Sequence, residues 1–387
     1  MTSLRLSAEL LRSLLAVLFL TASLASAAEQ SYRVYVGTYT DKDSKGIYAF
    51  HFDAASGDSG QVELAAETPN PSFLAVDQAG AFLYAVNELD SFDGNKTGAV
   101  SVFAVDRDTG KLKLLQQVSS AGAEPAHISL DNSGHYVLVA NYGAGNIAVF
   151  PVANDGRLGP RTAFFQFAGS SANKERQSSP HAHQIQASTD NRLVFVPDLG
   201  TDELMIYHFD PANGSLKPNK PGFVKVSPGS GPRHFAITPS GKFIYLVNEL
   251  SSTVIVFSFK PSSGQLRQQQ TISTLPVGFE LENTTAEIAV DAAGKTLYVS
   301  NRGDDSIAVF AINSHDGRLS LLQRVATGGK EPRHFTLDPT GKWLLAANQN
   351  SDTINLFAVD ATNGRLTATP HIVRVPTPTC VVLQPLQ

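Results

Sequence analysis

From Tyr35 onward, short apolar runs rich in Val, Ile, Phe and Tyr alternate with turns, and one pattern recurs along the chain. It reads Pro-x-His or a near variant, an apolar run, a turn built on Asp or Pro with Gly, and a second apolar run ending in Asn. An x-x-Val-Phe run and a Gly-x-Leu turn complete it. Copies begin at Pro71, Pro125, His181, Pro232, Thr285 and Pro332. Their second runs end at Asn87, Asn141, Asp198, Asn248, Asn301 and Asn348, with spacings of 54, 57, 50, 53 and 47 residues. Runs this short, β-branched and aromatic, bounded by turns such as Asn132-Ser133-Gly134 and Pro339-Thr340-Gly341, predict small antiparallel sheets. No amphipathic stretch of helical length competes. A sheet repeated every 40 to 55 residues, about one blade's length, cannot bury its faces alone, and radial stacking covers them all. The expected fold is all-β, a β-propeller.

The ends of the chain set the blade count. Pro378-Thr379-Cys380-Val381-Val382-Leu383 matches the first strand of a unit, after which the chain stops. Tyr35-Val36-Gly37-Thr38-Tyr39 and Ile47-Tyr48-Ala49-Phe50 match the second and third strands of a unit that lacks its first. Joined, they make a seventh blade, so the C-terminal strand closes the ring onto the N-terminal blade and removes an open edge. Residues 28–387 are then a single seven-bladed domain. Residues 1–27 read as a signal peptide. Arg5 and Arg12 precede the apolar residues 14–20 and Leu24, and Ala25-Ser26-Ala27 offers a small-residue cleavage site. Export, to a periplasm, is expected, with no membrane attachment after cleavage.

Composition narrows the chemistry. The 387 residues are 42% hydrophobic and 17% charged with a formal net charge of -5, and no Lys/Arg block offers a field for phosphate backbones, so nucleic acid is not an expected partner. Cys380, the only cysteine, excludes an intramolecular disulfide and thiolate zinc sites. No His-Glu-x-x-His and no Gly-x-Ser-x-Gly is present, so neither a metal nor a cofactor is expected, nor a catalytic serine.

With the first strand of each blade innermost, the third motif position recurs seven times near one end of the channel, as Phe73, His127, His183, His234, Glu287, His334 and Cys380. The turns after the second strands, Asn87-Glu88, Asn141-Tyr142, Asn248-Glu249, Asn301-Arg302 and their equivalents, are expected to reach the same funnel, giving a polar cup around a narrow tunnel. A recurring Pro-x-His also serves a repeat by bonding the neighbouring blade's backbone, and His127 and His334 fit that role. A substrate is not sevenfold symmetric, so the positions that break the repeat carry more information: His181, Arg233, Glu249 and Arg302.

Several segments together, Tyr35-Val36-Gly37-Thr38-Tyr39-Thr40, Pro180-His181-Ala182-His183, Gly231-Pro232-Arg233-His234, Val247-Asn248-Glu249-Leu250, Ser300-Asn301-Arg302 and Glu331-Pro332-Arg333-His334, resemble the seven-bladed lactonase family. It includes bacterial propeller-type 6-phosphogluconolactonases and fungal carboxy-muconate lactonizing enzymes. The resemblance implies a catalytic group of a histidine, an arginine, a glutamate and a second arginine, falling here on His183 (with His181 as the alternative), Arg233, Glu249 and Arg302. His181, His234, Glu287, Arg333, His334 and His127 are the expected substrate-binding residues. The expected activity is hydrolysis of a small-molecule sugar lactone to the aldonate, with gluconolactone preferred because phosphosugars are largely cytosolic. A neutral His183 would take the proton from water while Glu249 orients it or holds Arg233. Two readings stay beside it: a 6-phosphogluconolactonase using Arg333, Lys330 or Lys174 for phosphate, and a non-catalytic propeller presenting its loops at residues 89–97 and 170–179 to a protein or glycan.

Overall fold

Each repeat folds into a four-stranded antiparallel sheet, and seven such sheets are present among the described residues, 31–386 of this computed structural model. We number them as blades in chain order: blade 1 is 31–67 with 378–385, blade 2 is 74–119, blade 3 is 125–166, blade 4 is 186–225, blade 5 is 232–273, blade 6 is 284–326 and blade 7 is 332–374. The strand order runs outward from the first strand of each unit, as the repeat requires. The expected signal peptide, residues 1–27, lies outside the described residues. No helix among the described residues is long and apolar enough to cross a membrane.

The burial of each strand follows from its radius. Second strands such as Tyr136–Asn141 and Phe243–Asn248 are buried along their whole length, because a neighbouring blade covers each face. The outermost strand of blade 5, Gln265–Ser273, has no buried residue and carries Gln, Arg and Thr. Between blades the apolar faces interlock: Tyr245, Val247, Val254 and Val256 of blade 5 pack on Ile288, Leu297, Val299 and Phe310 of blade 6. Burying a side chain of this size stabilises the fold by about 1.5–3 kcal/mol.

Closure of the ring takes the expected form. Pro378–Pro385 pairs antiparallel with Ser31–Thr38, Tyr35 facing Val382. Gly37 sits at the bulge in that pairing, and a Cβ there would lie 2.3 Å from the Pro71 carbonyl oxygen of the next blade. Two inner strands are shorter than the pattern predicts. In blade 2 the strand begins only at Leu74, and in blade 4 it shrinks to Gln186–Ala187, preceded by a single bridge between Ala182 and Asp198. The segment ahead of that short strand carries His181 and His183 and still bonds the second strand, through the His183 amide to the Pro197 carbonyl and the Leu199 amide to the His181 carbonyl.

A recurrent tyrosine staples blade to blade. The hydroxyl groups of Tyr84, Tyr245 and Tyr298, all buried, donate to the turn carbonyls of Gly156, Gly317 and Gly364 in the following blades at 3.0, 3.0 and 2.8 Å. Removing the hydroxyl strands a buried carbonyl without a donor, so Tyr245→Phe should lose about 1–2 kcal/mol in urea unfolding. Tyr298→Phe should lose a similar amount, and the distant pair Tyr84→Phe with Tyr298→Phe should be additive.

Candidate active site

The inner strands bring the third motif positions into contact across the axis. Phe73 and His127 lie 4.3 Å apart between ring centroids, Phe73 and His334 5.5 Å, and His183 and His234 5.0 Å. His234 Nδ1 is 3.1 Å and His334 Nε2 3.5 Å from the same carboxylate oxygen of Glu287. Cys380 joins an apolar cluster with Leu74 and Leu83. The expected tunnel is therefore closed by a layer of rings. His127 Nδ1 accepts from the Ile185 amide at 3.4 Å and His334 Nδ1 from the Val381 amide at 3.3 Å, each in the next blade, which is the blade-linking role expected for these two. Accepting at Nδ1 leaves the proton of a neutral ring on Nε2. Burial holds the pKa of His127, His183 and His234 well below that of free histidine, assisted by neighbouring cations, and brings His334 down to about 4.

The layer separates two hollows. On one side lies a cup of about 190 Å³ lined by Tyr39, Glu88, Ala126, Tyr142, Arg176, His183, Glu249, Arg302 and Arg333. On the other is a wider hollow of about 380 Å³ to which Phe73, His127 and Glu287 belong, with Gln184 and Gln186. Larger clefts of about 510 and 450 Å³ open between blades and are lined mainly by turn residues. The cup gathers three guanidinium groups, two carboxylates and an imidazole in one enclosure.

The second strands deliver the cup through a simple local rule. Their terminal asparagines turn inward to close the hairpin: Asn248 donates to Thr253 Oγ1, Asn301 to Ser306 Oγ and Asn348 to Thr353 Oγ1. The residue after the asparagine then projects into the cup, as Glu88, Tyr142, Glu249 and Arg302.

Glu249 is the centre of the charge network. Its Oε2 accepts from Arg233 Nε at 3.0 Å and forms an ion pair with Arg302 Nη2 at 3.1 Å, and its Oε1 accepts from Arg176 Nη2 at 2.7 Å. Burial alone would raise the carboxyl, but Arg302, Arg233 and Arg176 outweigh it and hold the pKa at about 2. Arg233, fully enclosed, is brought down to about 9 by burial and by the Arg302 charge. Arg333 Nη2 donates to Tyr39 Oη at 2.7 Å, and Tyr39 Oη donates in turn to Glu88 Oε1 at 2.8 Å. Three polar atoms of residues lining the cup have no partner: the buried His183 Nδ1, Arg302 Nε and Glu88 Oε2.

Of the four residues expected to be catalytic, His183, Glu249 and Arg302 line the cup, and Arg233 lies beneath it, holding Glu249 and donating to the Ala286 carbonyl. Glu249 spends both oxygens on guanidinium groups, so it holds Arg233 and makes no hydrogen bond to His183. Among the expected substrate-binding residues only Arg333 lines the cup. His181 stacks on Tyr142 at 4.4 Å, its Nδ1 2.9 Å from the Tyr142 carbonyl oxygen, outside the cup's lining. His234 and His334 are sealed in the ring layer, and His127 and Glu287 face the far hollow. Their position on the inner strand aims them along the axis or away from the cup, which corrects the expectation of one shared funnel. Lys330 pairs with Asp305 at 2.8 Å and Lys174 donates to the Ser171 carbonyl; neither lines the cup.

Arg176 and Tyr39 escape sequence reasoning, which brings the Asn87-Glu88 and Asn141-Tyr142 turns to the funnel without giving either side chain a role. Arg176 lies in the 170–179 loop, which Gln177 pins by donating to the Leu199 carbonyl and accepting from the Asn173 amide. No repeat spacing distinguishes it from Lys174 or Glu175. Among the described residues no three His, Cys, Asp or Glu side chains are grouped to hold a metal ion.

A family description, Lactonase, 7-bladed beta-propeller, matches residues 33–383. The chain belongs to the seven-bladed β-propeller lactonase family. It is 37% identical to a 6-phosphogluconolactonase of Bacillus subtilis over 90% of this chain and 97% of that protein. Among solved structures, a periplasmic gluconolactonase of Pseudomonas aeruginosa is 36% identical with a TM-score of 0.85, covering 91% of this chain and 99% of its own. A putative 6-phosphogluconolactonase from Bacteroides fragilis is 35% identical, also with a TM-score of 0.85, over 92% and 99%. The lactonase fold is thus matched over nearly its full length, and the protein is an enzyme of that family.

The buried imidazoles of this lactonase make its stability depend on pH. Below about pH 6.5 the unfolded chain binds protons at His127, His183, His234 and His334 that the folded state refuses, so stability is present above that pH and declines as pH falls. Glu287, raised by burial, opposes this with one proton. Urea midpoints should be lower at pH 5.5 than at pH 7.5, and His127→Gln should flatten the difference; equal midpoints would contradict buried neutral rings.

Proposed function

We propose that the protein hydrolyses an unphosphorylated sugar lactone of the gluconolactone type to its aldonate, outside the cytoplasm. The observation that carries this reading is Glu249 clasped by three guanidinium groups in the same small polar cup as an imidazole kept neutral by burial. A cup of about 190 Å³ is below the usual range for drug-sized ligands and suits a compact polar ring.

The chemistry follows from charge. When water adds to the lactone carbonyl, negative charge develops on its oxygen, and preorganised cations in a water-poor site stabilise it. Arg302 has a buried Nε without an acceptor and is the proposed donor to that oxygen. Arg176, at the cup's edge, is placed to meet the carboxylate product. Glu249 fixes Arg302 and Arg176 and is too acidic to accept a proton at neutral pH. Neutral His183 takes the proton from water and returns it to the ring oxygen as the ester bond breaks, leaving an acid and a hydroxyl group. The acid then ionises, so one proton is released per turnover.

Support for an unphosphorylated substrate comes from two directions. One is the expected export signal at residues 1–27 together with the periplasmic gluconolactonase of Pseudomonas aeruginosa as a structural neighbour. The other is the cup, where Lys330 and Lys174 are absent from the lining and Arg333 is engaged by Tyr39. The curated relative from Bacillus subtilis favours the phosphorylated alternative, and side-by-side rates on the two lactones decide between them.

Titrating acid release from glucono-1,5-lactone in a pH-stat, corrected for spontaneous opening, tests the reading. His183→Ala should lower kcat/KM by roughly 10²–10⁴. Because the imidazole pKa is depressed, the wild-type rate should hold from pH 8 through 6.5 and fall only below the ordinary histidine value of 6.5. Full activity in His183→Ala with loss in His181→Ala would assign the base elsewhere.

A further inference from the structure

We propose that Glu88 is the specificity-determining residue of the cup, accepting a hydroxyl of the sugar and excluding a phosphate monoester at that end; the inference rests on the lactonase reading above.

The cup is polarised across the ring axis. Arg176 precedes blade 4, Arg233 and Glu249 belong to blade 5, and Arg302 to blade 6, so the proposed carbonyl side is cationic. Glu88 projects from blade 2, three blades away from Glu249 in a ring of seven and therefore nearly opposite. A lactone with its carbonyl at Arg302 and His183 directs its hydroxylated end toward Glu88.

Glu88 is equipped for that end. Its Oε1 accepts from Tyr39, while its Oε2 is buried without any donor. A carboxylate oxygen in that state is a strong acceptor lacking its hydrogen, and sugar hydroxyls supply one. The same side holds further negative charge. Glu124 and Asp90 lie beside Glu88, and the Glu124 carboxyl is pushed up by burial and by the charges of Asp90 and Glu88. The Glu124 amide bonds the Leu89 carbonyl, which ties the two segments together.

A phosphate ester would bring about -1.5 to -2 of charge to this rim. Arg333 reaches that rim through Tyr39, and the Arg333–Tyr39–Glu88 chain matches its charge with that of Glu88. Like charges meeting in a desolvated site disfavour the wrong substrate. Carboxylate and hydroxyl fit; carboxylate and phosphate repel.

Glu88→Gln keeps the side chain's size and its acceptor for Tyr39 while removing the charge. Wild-type enzyme should prefer glucono-1,5-lactone to its 6-phosphate. The variant should raise the ratio of kcat/KM for the phosphorylated over the unphosphorylated lactone by at least about tenfold, and by less as salt is added. Tyr39→Phe keeps the Glu88 charge and should leave that ratio near the wild-type value. Calorimetric binding of gluconate and 6-phosphogluconate to the three proteins should show the same changes without turnover. A wild-type preference for the phosphorylated ligand, or a Glu88→Gln ratio within about twofold of wild type, overturns the proposal. So does a Tyr39→Phe shift as large as that of Glu88→Gln, which would place selectivity in Arg333. Wild-type protein that turns over neither lactone would instead sink the hydrolytic reading, while the two binding ratios still decide the role of Glu88.

Discussion

Pairing of the last strand with the first, Pro378–Pro385 on Ser31–Thr38, is the constraint from which the site follows. An open stack of seven sheets could splay, leaving the inner strands at variable distances. Closure sets one axis and one radius. At that radius the third motif positions of blades 2 to 7 have no room except against one another, which is why Phe73 meets His127 at 4.3 Å and His183 meets His234 at 5.0 Å. Neutral imidazoles are suited to such a layer. They pack as flat rings, and each offers one donor and one acceptor to satisfy the backbone of the next blade.

On that floor the electrostatics of the cup are set by a trade between desolvation and pairing. Enclosing Arg233 costs enough to bring its pKa to about 9, and enclosing Glu249 would push that carboxyl upward if it were alone. Three guanidinium groups on two carboxylate oxygens reverse the second effect. A buried ion cluster of this kind adds little net stability over an apolar replacement, although removing one member is costly. Its retention is better understood as preorganisation: Arg302 and Arg176 are held before substrate arrives, so they need no reorientation as charge develops.

How much of this is legible in the chain depends on whether a residue's role repeats. The Asn at the end of each second strand, the turn glycines and the apolar second strands recur because every blade meets the same mechanical demand. The period therefore gives the sheets, their order and the closing strand. Arg233, Glu249 and Arg302 are legible for the opposite reason, as charges at positions that most copies of the repeat leave uncharged. Arg176 is invisible to either argument, since it reaches Glu249 from a 19-residue gap between strands, longer than any other between the described strands. The misplacement of His127, His234, Glu287 and His334 has a geometric origin. Knowing that a residue sits on an inner strand fixes its radius but not its height along the axis, and a shift of one position separates the cup from the far hollow.

Height along the axis also explains why a single histidine matters among four. His127 and His334 each have Nδ1 occupied by a backbone amide, and His234 has its Nδ1 on Glu287. His183 alone among these ring-layer histidines lines the cup and lacks a partner at Nδ1. In blade 4 the neighbouring side chain makes the link instead: Gln184 Oε1 accepts from the Phe235 amide of blade 5 at 2.7 Å, while the His183 amide keeps its bond to the Pro197 carbonyl of the second strand. With the blade link made by Gln184, the His183 imidazole is left available for chemistry, on the side of the layer where the guanidinium groups gather.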